Sequence, residues 1–591
     1  MEFEQKAEEK KMSMSKNIAR LAVTAGLTAA LSFGGVMAPV TMAFAEGGST
    51  VPDNSIIIGQ SESNKDATKT KFVPYQIFKA KVHDGANGKV TSDVEWADTI
   101  KNQTTKNEII NAIHKDASNG DKLPKAPSAQ DIADWLGTYV PESEKGAGVI
   151  VKNGDLLNTI ATTVKKYEQP SGEAFDADGS FKAESTGYYL FLTDDSSIGK
   201  KEDYSNKKQT GTSPIFAVVG GTGVTVTEKT GIPTVTKEIK DDKPNSNWAD
   251  KADSQAGQDV EYRLTGTVAS NIATFDNYYY QFHDTLSTGL QANKESVKVT
   301  IYKDRTDSTG TVIKRDDNKY TVDCTAQADG SSLLTVTFGD LKAAGVVLTP
   351  DSKVVVTYTA YLDSEKAVVG GTGNDNKVKL IYANNPMSDG KGESVPDTVR
   401  DYTYALKLVK QDSADNTKLK DVMFTIKATG ADELKSVKVG TQYVHEDGSL
   451  GDDECKFKTN ENGEINVKGL DAGTYTVHEV EGSNPGYNTL DDFTFTITAE
   501  GLGELEGATL DGNTYPNTLN VTAGKDGSTL VTPSVDDGTV TLVVQNKKGS
   551  NLPLTGLNGV TFTWIAGGAV LVIGVAHLIR SRKQAEESEQ E

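Results

Sequence analysis

Along most of the chain, apolar and polar residues alternate with a period of two, the pattern of half-buried strands, and Gly, Asp and Asn turns separate the runs. Residues 46–229 open and close on such runs: SIIIGQ, KFVPYQIFKAKV, TGYYLFLTDD and SPIFAVVGGTGVTVTEK. Between them the period changes. Ile132, Trp135, Leu136 and Tyr139 recur at helical spacing behind a capping Ser128, and Leu156, Leu157, Ile160 and Val164 do so within Asp155–Tyr167. This segment reads as a β-domain with a helical insertion. Residues 230–396 are almost wholly strand-like (DVEYRLTGTV, ESVKVTIYKD, SLLTVTFGD, KVVVTYTAYL). Residues 397–550 read the same way (YTYALKLVK, DVMFTIKA, GEINVKG, GTYTVHEV, FTFTIT, TVTLVVQNK). Short strands between tight turns predict antiparallel, immunoglobulin-like sandwiches, and so a mostly β protein of three tandem domains in a rod.

A few polar residues break this alternation by falling on an apolar face. In Thr234–Lys240, Lys237 shares a face with Val235 and Ile239, while Lys240 lies with Thr236 and Glu238. In Tyr404–Lys410, Lys407 lies with Ala405 and Val409, and the other face carries Leu406 and Leu408. A lysine directed into a core loses charge, and a neutral amine is a nucleophile. Glu479 shares a face with Tyr475 and Val477, and Asn546 ends the stripe Val540, Leu542, Val544. The middle segment offers a parallel set: Asp284 between Phe282 and Leu286, and Asn384 after Val378, Leu380 and Tyr382, with Asn376 and Asn385 as alternatives because a bulge shifts parity. The expected triads are Lys237–Asp284–Asn384 and Lys407–Glu479–Asn546. In each, a protonated acid relays protons as the amine attacks the side-chain amide, giving a Lys–Asn isopeptide bond and ammonia.

Both ends of the 591-residue chain carry processing signals. Lys10, Lys11, Lys16 and Arg20 precede an apolar, small-residue run ending in Ala43-Phe44-Ala45, so residues 1–45 read as a signal peptide. At the other end, Val560–Ile579 is apolar over about the 20 residues that cross a bilayer, and Arg580, Arg582 and Lys583 follow it. Leu552-Pro553-Leu554-Thr555-Gly556 stands just before the span. Motif, transmembrane helix and basic tail over 551–591 resemble the cell-wall sorting signal of Gram-positive surface proteins. That resemblance implies cleavage by a sortase between Thr555 and Gly556, and transfer of the Thr555 carbonyl through a thioester to an amine. The formal charge of −22 argues against nucleic acid as a partner. The two cysteines, Cys324 and Cys455, are too few for a disulfide framework.

Taken together, the chain resembles a major (shaft) pilin of sortase-assembled Gram-positive pili. YQIFKA and GYYLFLTDD resemble the N-terminal pilin domain; PTVTKEIKDD, FHDTL and IYANNP the middle domain, of collagen-adhesin A type; and YALKLVKQD, YTVHEVEGSNPGY and VVQNKKG the B-type domain, with Glu479 at the E-box position. The resemblance implies a fimbrial subunit, secreted, anchored to the cell wall and supporting adhesion. Its implied partners are pilin-specific and housekeeping sortases, identical subunits, ancillary pilins, peptidoglycan and a host receptor. Lys229 stands at a domain junction with Thr225 and Thr227 on its face, where shaft pilins carry the lysine that attacks the sortase-bound Thr555 of another subunit. Shaft pilins typically set that lysine in Tyr-Pro-Lys; here Thr227-Glu228-Lys229 stands instead. The alternative readings are a monomeric or tip-located adhesin built from the same modules, and a secreted enzyme. The six histidines form no tight metal-binding spacing, GGTG at Gly220–Gly223 and Gly370–Gly373 reads as turns, and no G-x-S-x-G elbow occurs. No cofactor or metal and no turnover chemistry is expected.

Overall fold

The computed structural model describes residues 51–549 apart from 66–67, 86–87, 142, 145–148, 242–245, 429–441, 504–517 and 525–528. The expected signal peptide, the LPLTG motif with Thr555, and the expected transmembrane helix lie outside the described residues. Among those described, no helix is long and apolar enough to cross a membrane. Among the described residues six sheets form three successive pairs; the second and third pairs each enclose one core, and the first domain has two.

In the first pair, the strand Gly187–Thr193 is buried on both faces, which is why its sequence GYYLFLT is a continuous apolar run. Tyr188, Leu190 and Leu192 face a core shared with three helices, α1 (Gln103–His114), α2 (Ala129–Tyr139) and α3 (Leu156–Tyr167). Tyr189 and Phe191 face a second core beneath the small sheet formed by Ser180–Lys182, Ser55–Gly59 and Val224–Thr227. Helix α2 starts where expected: the Ser128 hydroxyl accepts from the Asp131 amide, and the Asp131 carboxylate accepts from the Ser128 amide, a capping box. Helix α1 was not anticipated; Asn102 caps it.

The middle pair is a sandwich in which Val235–Lys240 lies in one sheet, and Tyr280–Leu286 beside Asn374–Ala383 in the other. Asp397–Tyr402, read from the sequence with the third segment, pairs with Asn374–Val378 and extends the middle sheet. A single residue, Thr403, then leads into Tyr404–Asp412. In the last pair that strand runs parallel to the final one, Thr539–Asn546. Parallel pairing suits first and last strands, because the whole domain serves as their crossover.

Neighbouring domains are joined by hydrogen bonds, several of them buried. Residues 151–153 dock on the middle domain through Asn153 N to Ala273 O (2.8 Å) and Thr274 Oγ1 to Val151 O (2.6 Å). Gln255 reaches from the middle into the last domain, where its Oε1 accepts from the Asp471 amide at 3.1 Å and the Tyr475 hydroxyl at 3.0 Å, and its Nε2 donates to Gly448 O.

Candidate functional site

Two clusters of lysine, acid and asparagine sit inside the second and third domains. In the third, the alternation Leu406, Leu408, Lys410 places Lys410, rather than Lys407, on the face that packs into the sandwich. Lys407 is half-exposed and pairs with Glu464 at 2.8 Å, so the expectation placed on Lys407 is corrected. Both faces of Tyr404–Asp412 carry apolar residues, and parity alone does not tell which one meets the opposite sheet. Lys410 Nζ donates to Glu479 Oε2 at 3.0 Å and to Asn546 Oδ1, while Asn546 Nδ2 donates to Glu479 Oε1 at 2.7 Å. The three residues are at most 1% exposed. Burial against the Phe424 ring pushes the Lys410 ammonium down to about 8, with the Glu479 charge opposing.

In the middle domain, Lys237 and Asp284 meet across the sandwich, with Nζ 2.6 and 2.7 Å from the two carboxylate oxygens. Asn384 lies elsewhere. Its Nδ2 donates to Gly199 O (2.8 Å) and Lys391 O (2.9 Å), sealing a loop of the first domain onto the second. Asn385 also faces the first domain, donating to Asp195 at 2.7 Å. Asn376 is the asparagine that shares a partner with the lysine, the Tyr358 hydroxyl. It leads the stripe Asn376, Val378, Leu380, Tyr382 and pairs with Leu286, two residues beyond Asp284. The strand is regular here, so no bulge is needed to choose it.

One residue of this site had no place in the sequence reading. The Tyr358 hydroxyl donates to Asp284 Oδ2 at 2.6 Å and accepts from Lys237 Nζ at 3.1 Å and Asn376 Nδ2 at 2.7 Å. Its position could have been suspected from Val354, Val356, Tyr358, which put the ring on the inward face of its strand. Lys237 also lies 5.4 Å from the centres of the Tyr262 and Tyr358 rings. Burial lowers its pKa to about 8, partly offset by Asp284.

Lys229 was expected on the polar face of its strand, with Thr225 and Thr227. It is half-buried, and its Nζ donates to Val149 O at 2.5 Å. Burial brings this ammonium to about 8 as well. Its backbone is held from both domains: the Lys229 amide donates to Thr212 Oγ1 at 2.8 Å, and Asn271 Nδ2 donates to Lys229 O at 3.1 Å. Neighbouring Glu228 points inward and accepts from the Ser61 amide, Asn64 Nδ2 and the Thr70 hydroxyl. Lys240 is half-buried near Glu261, 3.6 Å away. Cys324 and Cys455 are both free.

Comparison with known proteins adds an independent line. Residues 256–386 match the family model described as Gram-positive pilin backbone subunit 2, Cna-B-like domain, and residues 404–511 match the SpaA prealbumin-like fold domain. The middle domain was expected to be of A type, whereas the family model it matches is described as Cna-B-like. The chain is 24% identical over 399 residues to the trypsin-resistant surface T6 protein of Streptococcus pyogenes serotype M6, covering 61% of this chain and 71% of that one. The T6 backbone pilin of the same serotype superposes with a TM-score of 0.46 at 16% identity, over 85% of this chain and all of that one. The full-length major pilin SpaD of Corynebacterium diphtheriae gives 0.43 at 16% identity, over 84% and 97% of the two chains.

Proposed function

We propose that this chain, a Gram-positive backbone pilin by the two domains it carries, is a shaft subunit whose second and third domains each close on an internal Lys–Asn isopeptide bond. The observation that carries the proposal is the mutual contact of Lys410, Glu479 and Asn546 in a pocket without water access. Two opposite charges and an amide buried together are costly to hold, and a covalent amide removes both the charge and the donor excess. The neutral Lys410 amine attacks Asn546 Cγ; an Nζ–Cγ bond forms and the Cγ–Nδ2 bond breaks. Glu479 accepts a proton from Nζ and delivers it to Nδ2, which leaves as ammonia. Glu479 touches both nitrogens, so it can serve both transfers without moving. In the middle domain the reacting pair is Lys237 and Asn376, with Asp284 as the acid.

Lys229 is proposed as the amine that receives Thr555 of another subunit through a pilin-specific sortase, with a housekeeping sortase joining the finished polymer to peptidoglycan. Its clamped backbone at the domain joint supports this, because a presented nucleophile gains from a fixed base. Its ammonium, turned to Val149 O, has to swing outward to react. The reading is tested by the intact mass of the mature secreted protein, which should fall short of its sequence mass by two ammonias. A full sequence mass overturns the internal bonds. Replacing Lys229 with Ala should leave that mass deficit in place while abolishing the high-molecular-weight ladder of surface polymers. A persistent ladder reassigns the linking lysine.

A further inference from the structure

The two internal sites differ in how the acid reaches the leaving nitrogen. Glu479 accepts directly from Asn546 Nδ2. Asp284 is one methylene shorter, and the span between it and Asn376 Nδ2 is filled by the Tyr358 hydroxyl, 2.6 Å from Asp284 Oδ2 and 2.7 Å from Nδ2. Asn376 Oδ1 is buried and has no hydrogen-bond partner among the described residues, so the amide is held by its leaving nitrogen alone. Tyr358 is fixed from the other side by its ring, stacked on Tyr262 with centroids 5.4 Å apart and planes at 14°.

From this geometry we propose that Tyr358 is a catalytic proton carrier of the middle domain, passing to the departing amide nitrogen the proton that Asp284 takes from Lys237. The proposal rests on the reading that Lys237 and Asn376 react. As the Nζ–Cγ bond forms, Asp284 accepts one proton from Nζ. As Cγ–Nδ2 breaks, Tyr358 gives its hydroxyl proton to Nδ2 and takes the proton held by Asp284, so the tyrosine ends as it began and ammonia leaves. The phenol is protonated before the reaction starts, because burial first, and the Asp284 charge second, push its pKa upward. The third domain needs no such relay, since Glu479 touches both nitrogens, and its lysine lies 5.3 Å from the centre of the Phe424 ring.

The test uses full-length secreted protein made in a cell-free reaction, with loss of ammonia followed by intact mass and the cross-links located by peptide mapping. Tyr358→Phe keeps the stacked ring and removes the hydroxyl. We expect the Lys237–Asn376 bond to form about 100-fold more slowly, the scale of a lost general acid, while Lys410–Asn546 forms at the parental rate. If the parent loses two ammonias and Y358F loses both as fast, the tyrosine proposal is overturned and the isopeptide reading stands. If the parent loses none, the isopeptide reading itself fails. Difluorotyrosine at position 358 preserves shape and hydroxyl but makes the proton more acidic. It should change the rate and shift the pH profile of the middle-domain bond alone, and an unchanged rate and profile would overturn the proposal even where the Phe variant folds poorly.

Discussion

At the residue scale, the two candidate lysines of the strand Tyr404–Asp412 have opposite surroundings three positions apart. Lys407 is half-exposed against Glu464, an ion pair worth little in water. Lys410 is sealed against Glu479 and Asn546. Lys407→Ala should therefore leave the mass deficit intact and change stability by less than about 1 kcal/mol. Lys410→Ala should reduce the deficit to one ammonia. It should also lower stability by about 5 kcal/mol, the chain-entropy value of a closed loop spanning 136 residues, read from denaturant melts of the last domain. Asn376→Ala and Asn384→Ala make the matching pair in the middle domain: the first should remove a bond, and the second should only loosen the seam with the first domain. The amines also set a pH dependence. Burial lowers both lysines from 10.5 to about 8, so the reactive neutral fraction rises about tenfold per pH unit below 8 and saturates above it. Ammonia loss from freshly synthesised protein should follow that curve between pH 6 and 9; a flat profile would mean that amine deprotonation does not limit the reaction.

At the element scale, strands were readable because alternation is a local signal, and most predicted runs coincide with observed strands, such as Lys353–Leu362 and Gly473–Glu479. Face assignment failed where a strand is buried on both sides, since apolar residues then occupy both parities, as Ala405 and Val409 do beside Leu406 and Leu408. Partner choice was legible only in part. Asn376 and Asn384 share a parity, and only the register against Tyr280–Leu286 separates them, a non-local fact. The segment leading to the second domain gives a prediction at this scale. Glu228 pins Val224–Thr230 to residues 61–70 through three donors, and burial raises its pKa. A carboxyl raised above its unfolded value contributes stability that is complete below the unfolded pKa and lost as pH rises through the folded one. Glu228→Gln should flatten that acid-side dependence of the first domain, because Thr70 can rotate to accept from the new amide. Glu228→Ala orphans all three donors and should cost about 2–3 kcal/mol at pH 7, measured by thermal melts. Equal melts for the two variants would contradict this account.

At the scale of the whole molecule, the placement of the proposed bonds decides how load would travel. In the last domain, tension enters at Tyr404 and leaves beyond Asn546, at opposite ends of two parallel, hydrogen-bonded strands. The ladder is loaded in shear, and a bond between Lys410 and Asn546 lies in the line of force, so the intervening chain carries none of it. In the middle domain the bond crosses between sheets, from Lys237 in the strand that opens the domain to Asn376 in the penultimate long strand. Non-covalent domains open for only ~5–15 kcal/mol, and a series of subunits yields at its weakest member. Stretched singly, the parent protein should therefore lack the release of either loop, while a Lys237→Ala, Lys410→Ala double variant should show two added extension events. With close to 140 residues per loop and a reach of about 3.5 Å per residue, each event should lengthen the chain by roughly 480 Å. Single variants should show one such event each. A parent chain that extends by the full length of both loops would mean that neither bond bears the load.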